Sequence, residues 1–260
     1  MRDRENPEVI KYLEEENAYT DAVLKDTKQM QEDLFKEMKS RIKEDDSSVP
    51  YFKNGYWYYS RYEEGKEYPI HCRRAILDQG DEIILFDENV EAKNHPYYDL
   101  VSYAISKDNR LMAFAEDITG RRIYQIRIKN LESGEILDHL ITNVSSDVVW
   151  NNDGDTLYYC EKDTETLRPY KIKSLQLSSG NEEVHFEEKD EAFISSISIN
   201  KDFSHILIGS YSTLTTEFQI KNANDHLSFE TFLKRENGHE YYPELKDDWA
   251  VIKTNHNAEN

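Results

Sequence analysis

A repeated strand–turn–strand pattern limits the folds that this chain can adopt. An apolar strand end, a polar turn centred on aspartate and a second strand occur around Asp108, Asp153 and Asp202. Asp153 follows Asp108 by 45 positions, and Asp202 follows Asp153 by 49. Repeats of roughly 40 to 50 residues in a chain of short strands are typical of β-propeller blades, each a four-stranded sheet packed against its neighbours.

A turn glycine recurs in step with the aspartate turns. Gly80, Gly134 and Gly180 each precede a strand, with gaps of 54 and 46 residues. We count three copies of the repeat and part of a fourth, which predicts a mainly β fold: a partial propeller of about three to four blades. A ring this short leaves faces and edges uncovered. We therefore expect the chain, which ends at Asn260 inside a blade, to be part of a longer protein.

The chain begins with a predicted amphipathic helix, or two helices in series, from about Asn6 to Lys43. Asn6 is a good N-cap residue, and apolar residues follow three or four positions apart among charged ones. Pro50 closes a turn-forming run and disfavours helix in the residue before it. We divide the chain into an N-terminal helical segment, 1–48, which needs a partner surface, and an incomplete propeller, 49–260.

Acidic residues outnumber basic ones by 52 to 32, which gives the chain a formal charge of −20. This charge opposes binding to nucleic acid and to anionic membranes and favours polycationic ligands, although solubility alone would also explain it. The sequence has no apolar run of transmembrane length and no secretory signal. Cys72 and Cys160 lie 88 positions apart in no metal-type or redox-type pair, so we expect a cytoplasmic protein with reduced thiols.

Patterns that carry catalysis or bind metals are missing from the sequence. The Gly-x-Ser-x-Gly string of a nucleophile elbow does not occur, and we interpret Ser133 and Ser179 as turn residues. The run from Asn151 to Asp155 is similar to a calcium loop but lacks the glutamate at position twelve, so a turn is preferred. The histidines lack the spacing of a helical zinc site; they are His71, His95, His139, His185, His205, His226, His239 and His256. We predict no catalytic, cofactor-binding or metal-binding residue in this chain.

Several strings along the chain, in their order and spacing, resemble the prolyl oligopeptidase family of serine peptidases, and in particular its oligopeptidase B (protease II) group. The strings are Arg2–Val9, Lys53–Tyr59, Asp117–Arg127, Lys129–Leu131, Thr166–Tyr170, Glu187–Glu191, Tyr211–Glu217 and Arg235–Tyr241. Any one of them is a weak signal by itself. Together they cover essentially the whole chain and make a specific match.

The resemblance implies a seven-bladed propeller, an α/β-hydrolase domain that carries a Ser, Asp and His triad, and an N-terminal segment packed on that domain. It also implies cleavage of short peptides after Lys or Arg, with the propeller restricting access of large folded substrates. On this view the chain is the N-terminal fragment of a serine-type endopeptidase. Its partners are short basic peptides and its own hydrolase domain, and it is inactive alone. The alternatives are a stand-alone binding module without catalysis and a regulatory remnant.

A charged cluster at the start of one of these strings contains Asp117, Arg121 and Arg122, together with the preceding Glu116. In the family, ion pairs between the propeller and the hydrolase domain help to set open and closed states. The resemblance therefore implies that these four residues can form inter-domain ion pairs. The residues themselves favour a solvated cluster or an ion pair within one blade, because surface ion pairs are common and contribute little.

Overall fold

The computed structural model describes residues 3, 5–77, 79–225, 227–246 and 249–258. Arg2 and Arg4 of the first family-like string, His226 and the terminal Asn260 lie outside the described residues. Helices occupy the start of the described chain, and antiparallel strands make up most of the rest.

Two helices in series begin the chain, as the sequence predicts: α1 (Pro7–Leu24) and α2 (Lys28–Ser40), joined by a 3₁₀ turn (Lys25–Thr27). The side chain of Asn6 accepts a hydrogen bond from the Glu8 amide at 2.9 Å, which satisfies one of the unpaired N–H groups of the first helical turn. None of the described residues of α1 and α2 is buried. Their apolar side chains are exposed; examples are Ile10, Leu13, Val23, Leu34 and Met38.

Within the described ranges, 17 strands follow α2, and all of them pair in antiparallel fashion. They are β1 (Tyr51–Lys53), β2 (Tyr56–Arg61), β3 (Ile70–Arg74), β4 (Ile83–Asp87), β5 (Asp99–Ile105), β6 (Leu111–Asp117), β7 (Tyr124–Asn130), β8 (Ile136–Trp150), β9 (Thr156–Lys162), β10 (Pro169–Gln176), β11 (Asn181–Glu187), β12 (Ile194–Ile199), β13 (His205–Tyr211), β14 (Thr216–Asn222), β15 (Glu230–Leu233), β16 (Tyr241–Lys246) and β17 (Trp249–Thr254). A short helix, α3 (Glu88–Glu91), and a 3₁₀ turn (Ala92–Asn94) connect β4 to β5.

The strands form four-stranded blades in chain order. Blade 1 is β1–β4, blade 4 is β12–β15, and β16 and β17 form a further hairpin. Between them lies one seven-stranded sheet, β5–β11, because β8 is 15 residues long and pairs with β7 through its first part and with β9 through its second. We therefore define blade 2 as β5–β7 with the first part of β8, and blade 3 as the second part of β8 with β9–β11. The predicted partial propeller is confirmed.

The aspartate repeat marks the turn between the first and second strands of blades 2, 3 and 4. In blade 1 the equivalent turn is Asn54-Gly55, where φ is 46° and 84°. Two consecutive residues with positive φ make a two-residue hairpin, which is too short for the aspartate turn of the other blades. The aspartate repeat therefore marks three of the four blades. Blade 1 has only the glycine part of the pattern, at Gly80.

The core lies between neighbouring blades. Between blades 1 and 2 it contains Tyr58, Leu85, Phe86, Met112 and Phe114; between blades 3 and 4 it contains Tyr158, Cys160, Ile172, Ile197 and Ile208. Burial raises the pKa of the Cys72 thiol to about 11 and that of Cys160 to about 12. Both thiols are therefore protonated at neutral pH and fill core space as small apolar groups.

The helical segment meets the propeller at a defined end. Ser47 pairs with Arg61, the last residue of β2, and the Tyr62 amide donates to the Asp46 carbonyl at 2.8 Å. Pairing with blade 1 thus begins at Asp46, shortly before the boundary expected at residue 49. In an antiparallel blade the second strand ends beside the start of the first. The turns between second and third strands therefore lie at this same end, which we call the helical end.

Candidate functional site

The predicted charged cluster lies at the end of β6 and in the turn that leads to β7, at the helical end of blade 2. We call residues 117–122 the arginine turn. Asp117 is 2% exposed and accepts hydrogen bonds from the amides of Thr119 (2.8 Å), Gly120 (3.0 Å) and Arg122 (2.7 Å) and from the Thr119 hydroxyl (2.8 Å). Gly120 and Arg122 have φ of 68° and 58°. One carboxylate thus fixes the backbone of the whole turn.

The environment of Asp117 favours its ionised form. Burial raises the pKa of this carboxyl, but the hydrogen bonds from Thr119, Arg122 and Gly120 outweigh burial and hold the pKa below its ordinary value. Several N–H groups aimed at one carboxylate stabilise its charge in this way. The negative charge of Asp117 is therefore used inside blade 2, to hold the turn.

Glu116 is fully buried and makes its contacts with blade 2 and with the residue just before β5. It accepts hydrogen bonds from the Tyr98 hydroxyl and the Gln125 side-chain amide, both at 2.7 Å, and forms an ion pair with Arg127 at 3.4 Å. Burial, and after it the nearby Glu116 carboxylate, raises the pKa of Tyr98 far above its ordinary range. The ion-pair partner of Glu116 is thus Arg127, a residue outside the predicted cluster.

Arg121 and Arg122 have the opposite environment. Both are exposed, and in the part of the chain that the structure describes neither guanidinium group takes part in an ion pair. The structure therefore separates the four predicted residues into two buried carboxylates with local partners and two arginines that face solvent at the helical end. Only the arginines have the geometry to meet another domain, and their inter-domain role stays a prediction.

A second candidate site is a cavity of about 290 Å³ between the innermost strands β5, β8 and β12. Lys53 and Phe203 border it at the end opposite the helical end, with the lysine Nζ 4.9 Å from the centroid of the phenylalanine ring. Its lining mixes apolar side chains with polar and charged ones, which include Ser102, Ser146 and Asp147. These residues come from separate blades and form no motif, so the sequence alone does not mark them as a site.

The other sequence-level interpretations concern serines, histidines and metals. Ser179 Oγ donates to the Gln176 side chain at 2.9 Å, within a turn. A Ser–His contact that the sequence did not indicate joins Ser174 Oγ and His185 Nε2 at 2.8 Å. Ser174 lies inside β10 and is 5% exposed, without the strand-to-helix turn that exposes a nucleophile. Across the described residues, no group of three or more His, Cys, Asp or Glu side chains could hold a metal ion.

The family follows from comparison with known proteins. A family model of the N-terminal β-propeller domain of prolyl oligopeptidase matches residues 1–260. The chain belongs to the prolyl oligopeptidase family. Curated family relatives include dipeptidyl aminopeptidase BI of Pseudoxanthomonas mexicana, 39% identical over 97% of this chain, and Protease 2 of Moraxella lacunata, 32% identical over 100% of it. The chain spans 37% and 39% of the lengths of these two relatives.

Solved structures of the prolyl oligopeptidase family agree with this assignment. Oligopeptidase B from Leishmania major matches with a TM-score of 0.91 at 29% identity, over 99% of this chain and 37% of that structure. Oligopeptidase B from Trypanosoma brucei, solved in a closed form with covalently bound antipain, matches with a TM-score of 0.89 at 25% identity, over 98% and 37%. The resemblance to this family is thereby confirmed. Neither long helix, nor any other helix among the described residues, has the length and apolarity to cross a membrane.

Proposed function

We propose that this chain is the propeller part of a serine-type endopeptidase that hydrolyses short peptides after Lys or Arg. The observation that carries the proposal is the match to oligopeptidase B from Leishmania major across 99% of the chain, combined with membership of a peptidase family. The chain spans 37% of that structure. The proposal therefore assigns the catalytic triad and the specificity site to the whole protein and a supporting role to these residues.

The proposed partner of this chain is an α/β-hydrolase domain of the same protein. The helices α1 and α2 expose apolar side chains that include Leu13 and Leu34, and an apolar helix stripe is stable when a second surface covers it. Arg121 and Arg122 lie at the same end of the propeller as these helices. A single domain docked at the helical end would therefore cover both features.

Charge and size support short basic peptides as substrates. A formal charge of −20 raises the local concentration of cationic ligands and increases their association rates. The cavity between the inner strands measures about 290 Å³, with Lys53 and Phe203 at one end. This space suits a side chain or a few residues of extended peptide and is far too small for a folded protein. We infer that the propeller restricts access in this way.

A second activity is favoured by one observation. Identity to dipeptidyl aminopeptidase BI, at 39%, exceeds identity to Protease 2, at 32%. An enzyme that releases dipeptides must recognise the charged amino terminus of its substrate, whereas an endopeptidase does not need that group. The two activities use the same hydrolytic chemistry, so a free or blocked amino terminus on the substrate distinguishes them.

The experiment begins with the coding region beyond the codon for Asn260, where we expect further blades and a Gly-x-Ser-x-Gly elbow. The protein from the complete reading frame is then assayed on peptide p-nitroanilides that end in arginine or in alanine, each with a free or a blocked amino terminus. Cleavage of blocked arginyl substrates supports the endopeptidase, and cleavage of free-amine substrates alone selects the dipeptidyl aminopeptidase. Equal rates after arginine and alanine would overturn the basic specificity. Absence of both the elbow and the activity would favour the stand-alone binding module.

A further inference from the structure

A lysine of blade 3 reaches the arginine turn of blade 2. Lys162 ends β9 and is 9% exposed. Its Nζ atom donates a 2.7 Å hydrogen bond to the carbonyl oxygen of Arg122 and lies 4.4 Å from the centroid of the Tyr124 ring. Within the described ranges no carboxylate forms an ion pair with it. The ammonium group therefore has a backbone carbonyl as its polar partner.

Such an environment is costly for a lysine. An ammonium group removed from water is destabilised unless charges or hydrogen bonds compensate it. Burial accordingly lowers the pKa of Lys162, against the opposing effect of Asp117 and other acidic groups. An apolar side chain would fill the same space without this cost. The charged group thus contributes the contact with the arginine turn, which an apolar side chain could not make.

The backbone of Lys162 is itself held by a hydrogen bond from a neighbouring strand. The Asn143 side-chain amide donates to the Lys162 carbonyl at 2.6 Å, and Asn143, with φ of 59°, lies in β8 where that strand passes from blade 2 to blade 3. On the other side of the turn, a Cβ atom at Gly120 would lie 3.4 Å from the Tyr97 ring. The arginine turn is therefore confined between Tyr97 and Lys162.

We propose that Lys162 is a positioning residue, which holds the arginine turn so that Arg121 and Arg122 meet a carboxylate-bearing surface of the partner domain. The proposal rests on the proposed function for the existence of that domain. The anchoring itself is a property of this chain. Neither arginine forms an ion pair with Asp117 or with Asp99, its neighbour across the β5–β6 pairing, so both guanidinium groups are available to an acidic surface.

The chain offers a matched control in Lys129. Its Nζ atom donates to the Leu85 carbonyl at 2.9 Å, from blade 2 to blade 1, and lies 5.8 Å from the centroid of the Phe86 ring. Burial lowers the pKa of Lys129 as well. A hydrogen bond from a lysine to a backbone carbonyl therefore joins two blades here as well. Lys129 lies five residues after Tyr124 on β7, away from the arginine turn.

The test uses the protein from its complete reading frame, with Lys162→Met, Lys162→Arg and Lys129→Met variants. We measure hydrogen exchange at the amides of residues 119–122, and kcat and KM on an arginyl p-nitroanilide. We expect Lys162→Met to raise exchange in the turn by about tenfold or more and to lower kcat at least about threefold. Lys162→Arg, which can still donate to the carbonyl, should restore both. Lys129→Met removes an equivalent ammonium group and should change neither readout.

The test has two arms, hydrogen exchange and kinetics, which distinguish failure of this inference from failure of the proposed function. Unchanged exchange at residues 119–122 in Lys162→Met overturns the inference, whatever the enzyme does. Faster exchange with a normal kcat overturns it too. A wild-type protein that cleaves no arginyl substrate overturns the proposed function, while the exchange arm still tests the anchoring. If Lys162→Met does not fold, Lys162→Gln, whose shorter side chain loses the contact, replaces it in both arms.

Discussion

The indole Nε1 of Trp150 donates a 3.0 Å hydrogen bond to the carbonyl oxygen of Ala104. This bond joins the inner strand of blade 3 to the inner strand of blade 2. Trp150 is 4% exposed and belongs to the apolar cluster between those blades. A backbone carbonyl group of one blade is thereby satisfied by a side chain of the next.

Replacement of Trp150 by phenylalanine tests this link between blades. Phenylalanine keeps an aromatic ring but leaves the Ala104 carbonyl without its donor, and the smaller ring leaves space in the cluster. We expect a loss of about 2 to 4 kcal/mol in the free energy of unfolding, measured by urea titration. Trp249→Phe is the control, because Trp249 is 77% exposed, and a change within about 0.5 kcal/mol is expected there. Equal effects of the two substitutions would contradict the prediction.

Substitution of Asp117 by asparagine should loosen the arginine turn. The amide can accept some of the hydrogen bonds but lacks the charge, so we expect a loss of about 2 kcal/mol at pH 7. The folded-state pKa of Asp117 lies below its ordinary value of 3.8. Wild-type stability from this group is therefore complete above that value and is lost as the pH falls through the folded-state pKa. Urea titrations at a series of pH values from 7 downward should show the two proteins converging only in acid.

Asp147 on the inner strand β8 should behave in the opposite way. Burial raises the pKa of its carboxyl, against hydrogen bonds from Ser145 and the Ile197 amide. The folded protein therefore holds this proton more tightly than the unfolded chain does, and stability falls as the pH rises through the raised pKa. Asp147→Asn removes the half-buried charge and should add about 1 kcal/mol at pH 7.

The gain from Asp147→Asn should disappear below pH 3.8, the ordinary value for this carboxyl, where the wild-type group is neutral in both states. Asp138→Asn on the exposed part of the same strand is the control, with an expected change within about 0.5 kcal/mol. A loss of stability in Asp147→Asn at pH 7 would show that the charge is needed where it lies.

Arg122→Ala should lower turnover in the protein from the complete reading frame without unfolding the propeller. The side chain is exposed, so we expect a change in stability within about 0.5 kcal/mol and a fall in kcat that shrinks in high salt. Arg110→Ala is the matched control: Arg110 is also exposed and pairs with Asp108 at 2.6 Å, in a turn at the end of blade 2 away from the helices. Unchanged kinetics in Arg122→Ala would remove the inter-domain role.

Local features of the fold could be predicted because they depend on neighbouring residues. The Asn6 cap, the Asn54-Gly55 hairpin and the turns around Asp108, Asp153 and Asp202 all follow from the conformational preferences of a few adjacent residues. Blade 1 was not counted as a full copy because its Asn54-Gly55 turn differs from the aspartate turn of the other blades. The division of the charged cluster into buried carboxylates and exposed arginines was not predicted, because burial depends on the neighbouring blades.

The order of helices and strands, the blade period and the likeness to a family follow from the sequence alone. The contacts between side chains of different blades follow from the tertiary structure. Lys162 contacts the Arg122 carbonyl across 40 residues, and Lys53 lies over Phe203, which belongs to a blade three units further along. Periodicity in a sequence records the local backbone and which face of a strand is buried. The packing of separate blades decides the contacts between distant residues, so no pattern along the chain reveals them.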